Sequence, residues 1–274
     1  AELNIPLVLC GVNQSPSSIV WPIAGHHSQG HIIEAQASLT RPQKKRLWKS
    51  IVKAKIASQA DALSIAGVQF EDVRSMIARV KSGDPDNLEA QAARRYWQRM
   101  MGEEEPGFVR SRQSEGINAA PNYGYTILRA GAARAILAAG LHPSLSLHHD
   151  SRGEALRLAD DIMEPFRPWV DLTVRRLASE NDENFPLDRH VKAALVEVLS
   201  LDLEGPSGAS PVQTCLNRLS QSLAGVCMKE RRDLDFPGPP VFRSATGAGK
   251  RRGRCLTCRP SNICGSWYSL TCPP

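Results

Sequence analysis

Residues 159–168 read Ala159-Asp160-Asp161-Ile162-Met163-Glu164-Pro165-Phe166-Arg167-Pro168. If the chain is helical up to Glu164, the carboxylates of Asp161 and Glu164 lie three residues apart on one helix face. The two prolines lack the helical N–H, so the helix is predicted to kink or break directly after Glu164. Carboxylates this crowded repel one another, and a bound divalent cation would relieve the repulsion. A solvated acidic face is the alternative, and the spacing alone leaves both open.

A second acidic segment lies far upstream, in Gly83-Asp84-Pro85-Asp86-Asn87-Leu88-Glu89. Asp86 and Glu89 are spaced as in a capping box, in which the first residue caps a helix and the second reaches back to the N–H of the cap. The spacing by itself favours this cap over a ligand role for Glu89. A metal-binding role stays the alternative.

Hydrophobic periodicity predicts a mainly α protein. Apolar residues recur at three- and four-residue intervals after Pro42, and helices are predicted at about residues 87–101, 122–139, 153–178, 188–203 and 211–228. Two strands are predicted at residues 5–11 and 18–23, because these runs are apolar and β-branched and are separated by a turn signal. We therefore expect a small β-unit and linker over residues 1–39, a helical domain over 40–229, and a basic tail rich in Gly, Pro and Cys over 230–274. The tail composition is typical of disorder.

Hydropathy argues against a membrane-spanning or secreted protein, and the charge distribution is compatible with DNA binding. The 274-residue chain carries a net charge of +6, most of it in the tail. No apolar run approaches the length of a membrane span, and the start has no signal-peptide pattern, so we expect a cytoplasmic protein that does not contact the membrane. The segment from Arg41 to Lys55 is basic and contains no acidic residue. Such a face can neutralise DNA phosphates or can simply be solvated.

Three separate blocks resemble signature motifs of one family. They are Asn87-Leu88-Glu89 continuing to Arg94 and Tyr96, Gly140-Leu141-His142-Pro143 followed by His149, and Asp161-Ile162-Met163-Glu164-Pro165-Phe166-Arg167-Pro168. In this order they resemble the CRISPR-associated integrase, the universal adaptation nuclease of CRISPR systems, in its type II variety. The resemblance covers about residues 7–223. The chain opens without Met at a strand that resembles a late one of the family's β-domain, so we expect an amino-terminally truncated sequence.

The resemblance implies both a site and a reaction. It assigns Glu89, His149 and Glu164 as ligands of one divalent metal, with Asp161 in support. His148 competes with His149, but the family histidine stands six residues after the proline, which is position 149. The implied enzyme is a DNA endonuclease and integrase that inserts captured DNA fragments as spacers into a CRISPR array by 3′-hydroxyl transesterification. The residues 40–229 would then form the helical catalytic domain.

The donor atoms point to a particular kind of metal. Two carboxylates and one imidazole favour Mg²⁺ or Mn²⁺ and leave positions open for water and phosphate oxygens. The expected partners are double-stranded DNA (prespacer and CRISPR repeat), a second copy in a homodimer, and the second CRISPR adaptation protein. Candidate DNA contacts are Lys44, Lys45, Arg46, Arg167 and Tyr125, although Arg167 and Tyr125 also fit structural roles. A catalytically silent DNA-binding or assembly subunit is the alternative function.

Two further patterns carry weaker expectations. His27 and His31 are spaced like a metal pair, but no acidic partner completes a hydrolase motif, so a structural role is favoured. Cys255, Cys258, Cys264 and Cys272 could form a zinc site, yet only the first spacing is typical of one.

Overall fold

The computed structural model describes residues 5–11, 15–22, 28–101, 119–150, 154–180, 185–206 and 208–242. Its helices are α1 (Gln29–Ala37), α2 (Arg41–Ile65), α3 (Glu71–Ser75), α4 (Leu88–Met100), α5 (Ala119–Ala138), α6 (Arg157–Met163), α7 (Arg167–Glu180), α8 (Arg189–Val196) and α9 (Val212–Cys227). Short 3-10 helices cover Met76–Arg79, Glu164–Phe166 and Glu197–Ser200. The strands are β1 (Leu7–Cys10), β2 (Pro16–Val20), β3 (Asp202–Leu203) and β4 (Ser210–Pro211). The predicted mainly α class is confirmed.

Helix α2 is the longest element and lies at the centre of the core. It begins at Thr40, whose backbone N–H donates to the Gln43 side chain at 2.8 Å, and Pro42 stands in its first turn. This is the start signal that a helix needs, because the first N–H groups have no partner within the helix. Buried residues recur along one face, among them Trp48, Ile51 and Ile56. That face packs against α4, α7 and the segment that follows α6.

The predicted break after Glu164 is confirmed. Helix α6 ends at Met163, a 3-10 turn covers Glu164–Phe166, and α7 begins at Arg167. All three residues of the turn are buried, and the turn packs against α2. Full burial of a side chain such as that of Phe166 contributes roughly 1.5–3 kcal/mol, which holds this irregular turn in place. The break therefore fixes the position of Glu164 inside the core.

The predicted helix over residues 188–203 is too long. Helix α8 ends at Val196, a 3-10 turn follows, and Leu201 takes an extended conformation with ψ of 124°. The next two residues form β3, which pairs with β4, and Leu203 also bridges to Pro240. These pairings give the backbone of residues 202–203 hydrogen-bond partners from distant parts of the chain. Helical periodicity carries no information about such partners, so tertiary contacts override the local pattern here.

Residues after 229, where the helical domain was predicted to end, still form hydrogen bonds with that domain. The N–H of Asp235 donates to Ser222 in α9, and the N–H of Val241 donates to the Asp202 carbonyl. Contacts group Ala1–Val241 into one unit and Phe242–Pro274 into a second. Of this second unit only Phe242 is described, so the predictions of disorder and of a cysteine site lie outside the described residues.

The two predicted amino-terminal strands are present, and they pair with each other. β1 and β2 are antiparallel, with Leu7 opposite Val20 and a bulge between Leu9 and Cys10. Leu7, Leu9 and Val20 are exposed.

Among the helices of the described ranges, none combines the length and the apolar character of a membrane span.

Candidate metal centre

The start of α4 places Glu89, and the cap differs from the one predicted. The two carboxylate oxygens of Asp84 accept the N–H groups of Leu88 and Glu89, each at 2.9 Å. Asp86 instead pairs with Lys81 at 2.9 Å. The capping box of Asp86 and Glu89 is therefore wrong. Because Asp84 satisfies the first N–H groups of α4, the Glu89 side chain is released from capping and turns towards α2.

Lys55 of α2 joins the two acidic segments. Its ammonium Nζ lies 2.6 Å from Glu89 Oε1 and 2.6 Å from Glu164 Oε2. The two carboxylate oxygens are therefore no more than 5.2 Å apart, which is twice that distance. A single cation thus contacts both of the predicted carboxylate ligands, although they stand 75 residues apart in the sequence.

Glu164 is the most enclosed of the three candidate ligands. The residue is only 2% exposed. Its Oε1 pairs with Arg167 at 3.0 Å, and its Oε2 faces Lys55. Burial alone would raise the pKa of Glu164, but the charges of Lys55 and Arg167 outweigh burial and lower it. Glu164 is therefore an ionised carboxylate within the core, and its charge depends on these two neighbours.

Burial opposes the charge of Lys55 as well. Desolvation would lower the pKa of the ammonium, yet the carboxylates of Glu164 and Glu89 outweigh it, so the pKa is raised. The same balance raises the pKa of Arg167, whose guanidinium interacts with Glu164. The ion pairs at this site are thus charged on both sides, which makes each partner costly to remove alone.

Asp161 fixes the loop that carries His149. This aspartate is fully buried, and its oxygens accept the backbone N–H groups of Leu147 at 2.7 Å, His148 at 3.3 Å and His149 at 3.2 Å. The ring atom Nδ1 of His149 lies 2.8 Å from Asp161 Oδ1. A carboxylate on Nδ1 leaves Nε2 as the ring atom for coordination, as in many metal-bound histidines.

The charge state of His149 reflects these contacts. The hydrogen bond to Asp161 raises the pKa of His149, burial opposes it, and the charges of Asp161 and Glu164 raise it further. The His149 ring also contacts Trp48 edge-on, with centroids 5.7 Å apart.

His148 has a different role from His149. Its ring stacks flat on the buried indole of Trp48, with centroids 4.2 Å apart and an interplanar angle of 5°. The loop is anchored at its other end by Gln36 of α1, which accepts the His142 N–H at 2.8 Å and donates to the Leu145 carbonyl at 2.9 Å. The structure therefore gives the rings of the two adjacent histidines separate environments, and among the described hydrogen bonds only the ring of His149 contacts a carboxylate.

The acidic cluster of α6 is divided among separate partners. Asp160 pairs with Arg129 at 2.8 Å, Asp161 binds the histidine loop, and Glu164 lies between Lys55 and Arg167. Charge repulsion is thus already relieved by groups of the protein itself. In the described ranges, no three His, Cys, Asp or Glu side chains are arranged closely enough to hold a metal ion directly.

The donor set nevertheless fits a divalent cation. Glu89 and Glu164 already share one positive group, the Lys55 ammonium, and the imidazole of His149 has its Nδ1 engaged by Asp161. Oxygen donors with a single imidazole are typical ligands of Mg²⁺ and Mn²⁺. The arrangement suits a cation at the position where the Lys55 ammonium now lies.

The candidate DNA contacts fall into two groups. Lys45 and Arg46 are exposed and Lys44 is half-buried at the start of α2. Tyr125 is buried, its hydroxyl donates to Asp171, and the guanidinium of Arg167 lies 5.0 Å from the centre of its ring. This placement favours the structural interpretation of Tyr125 and Arg167. The loop of residues 102–118 and His27 lie outside the described residues, and His31 pairs with Glu34 at 3.8 Å.

Two members of the site were missed by the sequence reasoning. Lys55 stands seven residues after Trp48, so it occupies the core-facing stripe of α2, where a charged residue is unusual. That position was the available signal. Asp84 was missed because its backbone has a positive φ of 47°, an uncommon conformation that places its side chain over the helix start.

Comparison with known proteins decides the family. Residues 1–186 match the family model for CRISPR associated protein Cas1. The chain belongs to the Cas1 family. It is 34% identical over 240 residues to the CRISPR-associated endonuclease Cas1 of Neisseria meningitidis serogroup C (strain 8013). The aligned region covers 86% of this chain and 78% of the Neisseria protein. A Cas1 endonuclease of Pyrobaculum aerophilum is 34% identical over 139 residues, covering 50% of this chain and 46% of its own.

Solved structures show that the Cas1 fold is shared. A casposase bound to an integration product superimposes with a TM-score of 0.69 at 21% identity, covering 85% of this chain and 74% of the casposase. A Cas1 protein from Thermotoga maritima superimposes with a TM-score of 0.65 at 17% identity, covering 83% and 81% of the two chains. The family expected from the three sequence blocks is therefore confirmed, and all the candidate ligands lie within the matched residues.

Proposed function

We propose that this Cas1 chain is a divalent-metal-dependent DNA endonuclease and integrase that inserts captured DNA fragments into a CRISPR array by 3′-hydroxyl transesterification. The observation that carries the proposal is the contact of Glu89 and Glu164 with one cation, the Lys55 ammonium. The third candidate ligand, His149, is held by Asp161. Phosphoryl transfer needs positive charge placed where charge develops on the phosphate, and a buried carboxylate with a partly buried one is a means of holding it.

Glu89, Glu164 and the Nε2 of His149 would hold Mg²⁺ or Mn²⁺. When bound, the metal would supply charge stabilisation at the phosphate and activation of an oxygen. Asp161 orients His149, because its carboxylate accepts both the ring Nδ1–H and the backbone N–H of this residue. Arg167 holds Glu164 in its ionised form through the 3.0 Å pair with Oε1. Transesterification exchanges one phosphodiester bond for another, so no nucleotide cofactor is needed.

DNA is the proposed substrate, and the exposed charges of α2 support this. Lys45 and Arg46 are exposed at one end of the helix that carries Lys55, so one helix joins a basic surface to the site. Each phosphate contact that is lost reduces the salt dependence of binding by about one unit of slope. Replacing both residues by Gln is therefore expected to weaken binding to duplex DNA and to reduce the slope by roughly two.

The proposed protein partners follow from the relatives. Structures with a TM-score of at least 0.64 include a Cas6-RT-Cas1–Cas2 complex and a partial form of it. We propose that this chain likewise acts with a second CRISPR adaptation protein, and that it forms a homodimer. Size-exclusion chromatography with light scattering, with and without the second protein, measures both states.

The test of the proposed reaction is strand transfer into a supercoiled plasmid that contains the CRISPR repeat. Glu164→Gln keeps the size of the side chain and removes its charge, and we expect it to abolish Mn²⁺-dependent product. Glu180→Gln is the matched control, because Glu180 is exposed at the end of α7, and it should transfer DNA like the wild type. Equal product from Glu164→Gln and wild type would reject the assigned site.

The same assay distinguishes the alternative function. A catalytically silent subunit would bind DNA in both variants and in the wild type, without product from any of them. The observation that favours this alternative is the Lys55 ammonium, which already places a positive charge between Glu89 and Glu164. Product from the wild type with Mn²⁺, and its loss with a chelator, would exclude it.

A further inference from the structure

Lys55 occupies the place between the two carboxylates that the proposed metal would need. We propose that Lys55 is a positioning residue, an internal counter-cation that joins Glu89 and Glu164 in the metal-free protein and must leave at least one of them when a divalent metal binds. This inference rests on the proposed function, because it concerns the same metal site. It identifies a residue whose removal should make the metal bind more tightly.

Geometry supports direct competition. Nζ lies 2.6 Å from an oxygen of each glutamate, so the ammonium contacts the atoms that the metal would take as ligands. The Lys55 side chain is 12% exposed and that of Glu164 is 3% exposed, so little water is available to screen a second cation. Two cations on the same buried oxygens repel strongly at such low screening.

Charge balance leads to the same conclusion. The site holds two carboxylates, Glu89 and Glu164, against two permanent cations, Lys55 and Arg167. Asp161, which faces His149, adds a third carboxylate, and a histidine that binds a metal is neutral, so the set carries one net negative charge before the metal binds. A divalent ion added to this set leaves an excess of positive charge in a buried place. Movement of Lys55 away from the carboxylates lowers that excess, and a DNA phosphate carries the negative charge that would receive the ammonium.

Lys55 is also the cation that can leave Glu164 more readily, because of its side chain and its contacts. Arg167 is fixed by its pair with Glu164 three residues earlier and by the ring of Tyr125, 5.0 Å from its guanidinium. A lysine ammonium is a point charge on a flexible four-carbon stem, and it can change partners without moving the backbone. Among the described contacts of Lys55, both ion pairs are to the proposed metal ligands. Release from them therefore breaks no other described ion pair of Lys55.

The experiment measures Mn²⁺ binding by isothermal titration calorimetry on the full chain in the absence of DNA. Lys55→Met keeps the length of the side chain and removes its charge, and it is expected to bind Mn²⁺ roughly tenfold more tightly than the wild type, because charge repulsion at this distance is lost. Lys53→Met is the matched control: Lys53 lies on the same helix, outside the two ion pairs, and should bind like the wild type. Lys55→Arg keeps the charge and should not bind more tightly.

A second measurement covers the case in which Lys55→Met does not fold. The wild type is labelled with ¹³C at lysine Cε, and the Lys55 resonance is assigned as the one missing from Lys55→Arg. Mg²⁺ should shift this resonance while the Lys53 resonance stays in place. Wild-type affinity in Lys55→Met, weaker affinity in it, or a Lys55 resonance unmoved by saturating Mg²⁺ would each overturn the counter-cation role.

The failure of this inference is distinguishable from that of the proposed function. If the wild type binds Mn²⁺ and transfers DNA while Lys55→Met binds no more tightly, only the role of Lys55 is rejected. If the wild type binds no Mn²⁺ and Glu164→Gln changes nothing, the metal site itself is rejected and the inference with it.

Discussion

Asp161→Asn is the substitution that best separates the support of the site from its ligands. Asp161 is fully buried and accepts three backbone N–H groups and the Nδ1–H of His149. Asparagine has nearly the same shape, but one of its oxygens is replaced by NH₂, which can only donate. With the NH₂ in the place of Oδ2, the N–H groups of Leu147 and His148 face another donor. With it in the place of Oδ1, the N–H of His149 faces a donor and the ring Nδ1 can no longer donate there.

The magnitude follows from these hydrogen bonds. A hydrogen bond to a charged group contributes about 1.5–3 kcal/mol, and a buried donor left without an acceptor costs a similar amount. Loss of two such bonds is expected to lower the free energy of unfolding by roughly 3–5 kcal/mol. The control is Asp160→Asn. Asp160 is partly exposed and pairs with Arg129, so its loss should cost about 1 kcal/mol or less.

The assay is urea unfolding in a chelator, combined with an NMR titration of the histidines. In the wild type the pKa of His149 is raised, mainly by its hydrogen bond to Asp161. This contact therefore stabilises the fold fully below the unfolded pKa, near 6.5, and the stabilisation is lost as the pH rises through the higher folded pKa. In Asp161→Asn the pKa of His149 should fall, and this pH dependence should disappear. Unchanged stability together with an unchanged His149 pKa would show that Asp161 neither holds the histidine loop nor raises the pKa of His149.

Three further substitutions test the fold around the site, each by urea unfolding. Gly124→Ala should cost about 1–3 kcal/mol, since the new Cβ would lie 2.4 Å from Val170 Cγ1, whereas Gly30→Ala, with no atom within 4 Å, should cost nothing; equal effects would contradict this packing. Asp84→Ala removes the acceptor of the first N–H groups of α4 and should cost about 1–2 kcal/mol. Wild-type stability in that variant would disprove the cap. Trp48→Ala removes a buried indole and should cost about 3–5 kcal/mol, and a loss below 1 kcal/mol would contradict its place in the core.

Much of the helical fold could be predicted from the sequence, because it depends on local signals. The apolar periodicity of α2 and the two prolines after Glu164 act within a few residues, and the helix and the break are both observed. The end of α8 could not be predicted in this way, because β3 forms through pairing with distant residues. Local propensity carries no information about such partners.

The site shows the same division. The three sequence blocks pointed to Glu89, His149 and Glu164. In the structure Glu89 and Glu164 contact one cation, and His149 is held by Asp161. The Asp84 cap depends on a backbone conformation with positive φ, which the capping-box pattern does not encode. Lys55 lies between two segments that are distant in sequence, so only the folded structure brings its charge to both carboxylates.

Anomalous diffraction from crystals of the protein soaked in Mn²⁺ tests directly whether Glu89, Glu164 and His149 bind one metal ion. We expect one strong peak between the carboxylates of Glu89 and Glu164 and the Nε2 of His149, with the Lys55 ammonium moved off at least one carboxylate. A map with no peak there, or with Mn²⁺ bound elsewhere while Lys55 keeps both ion pairs, would contradict it.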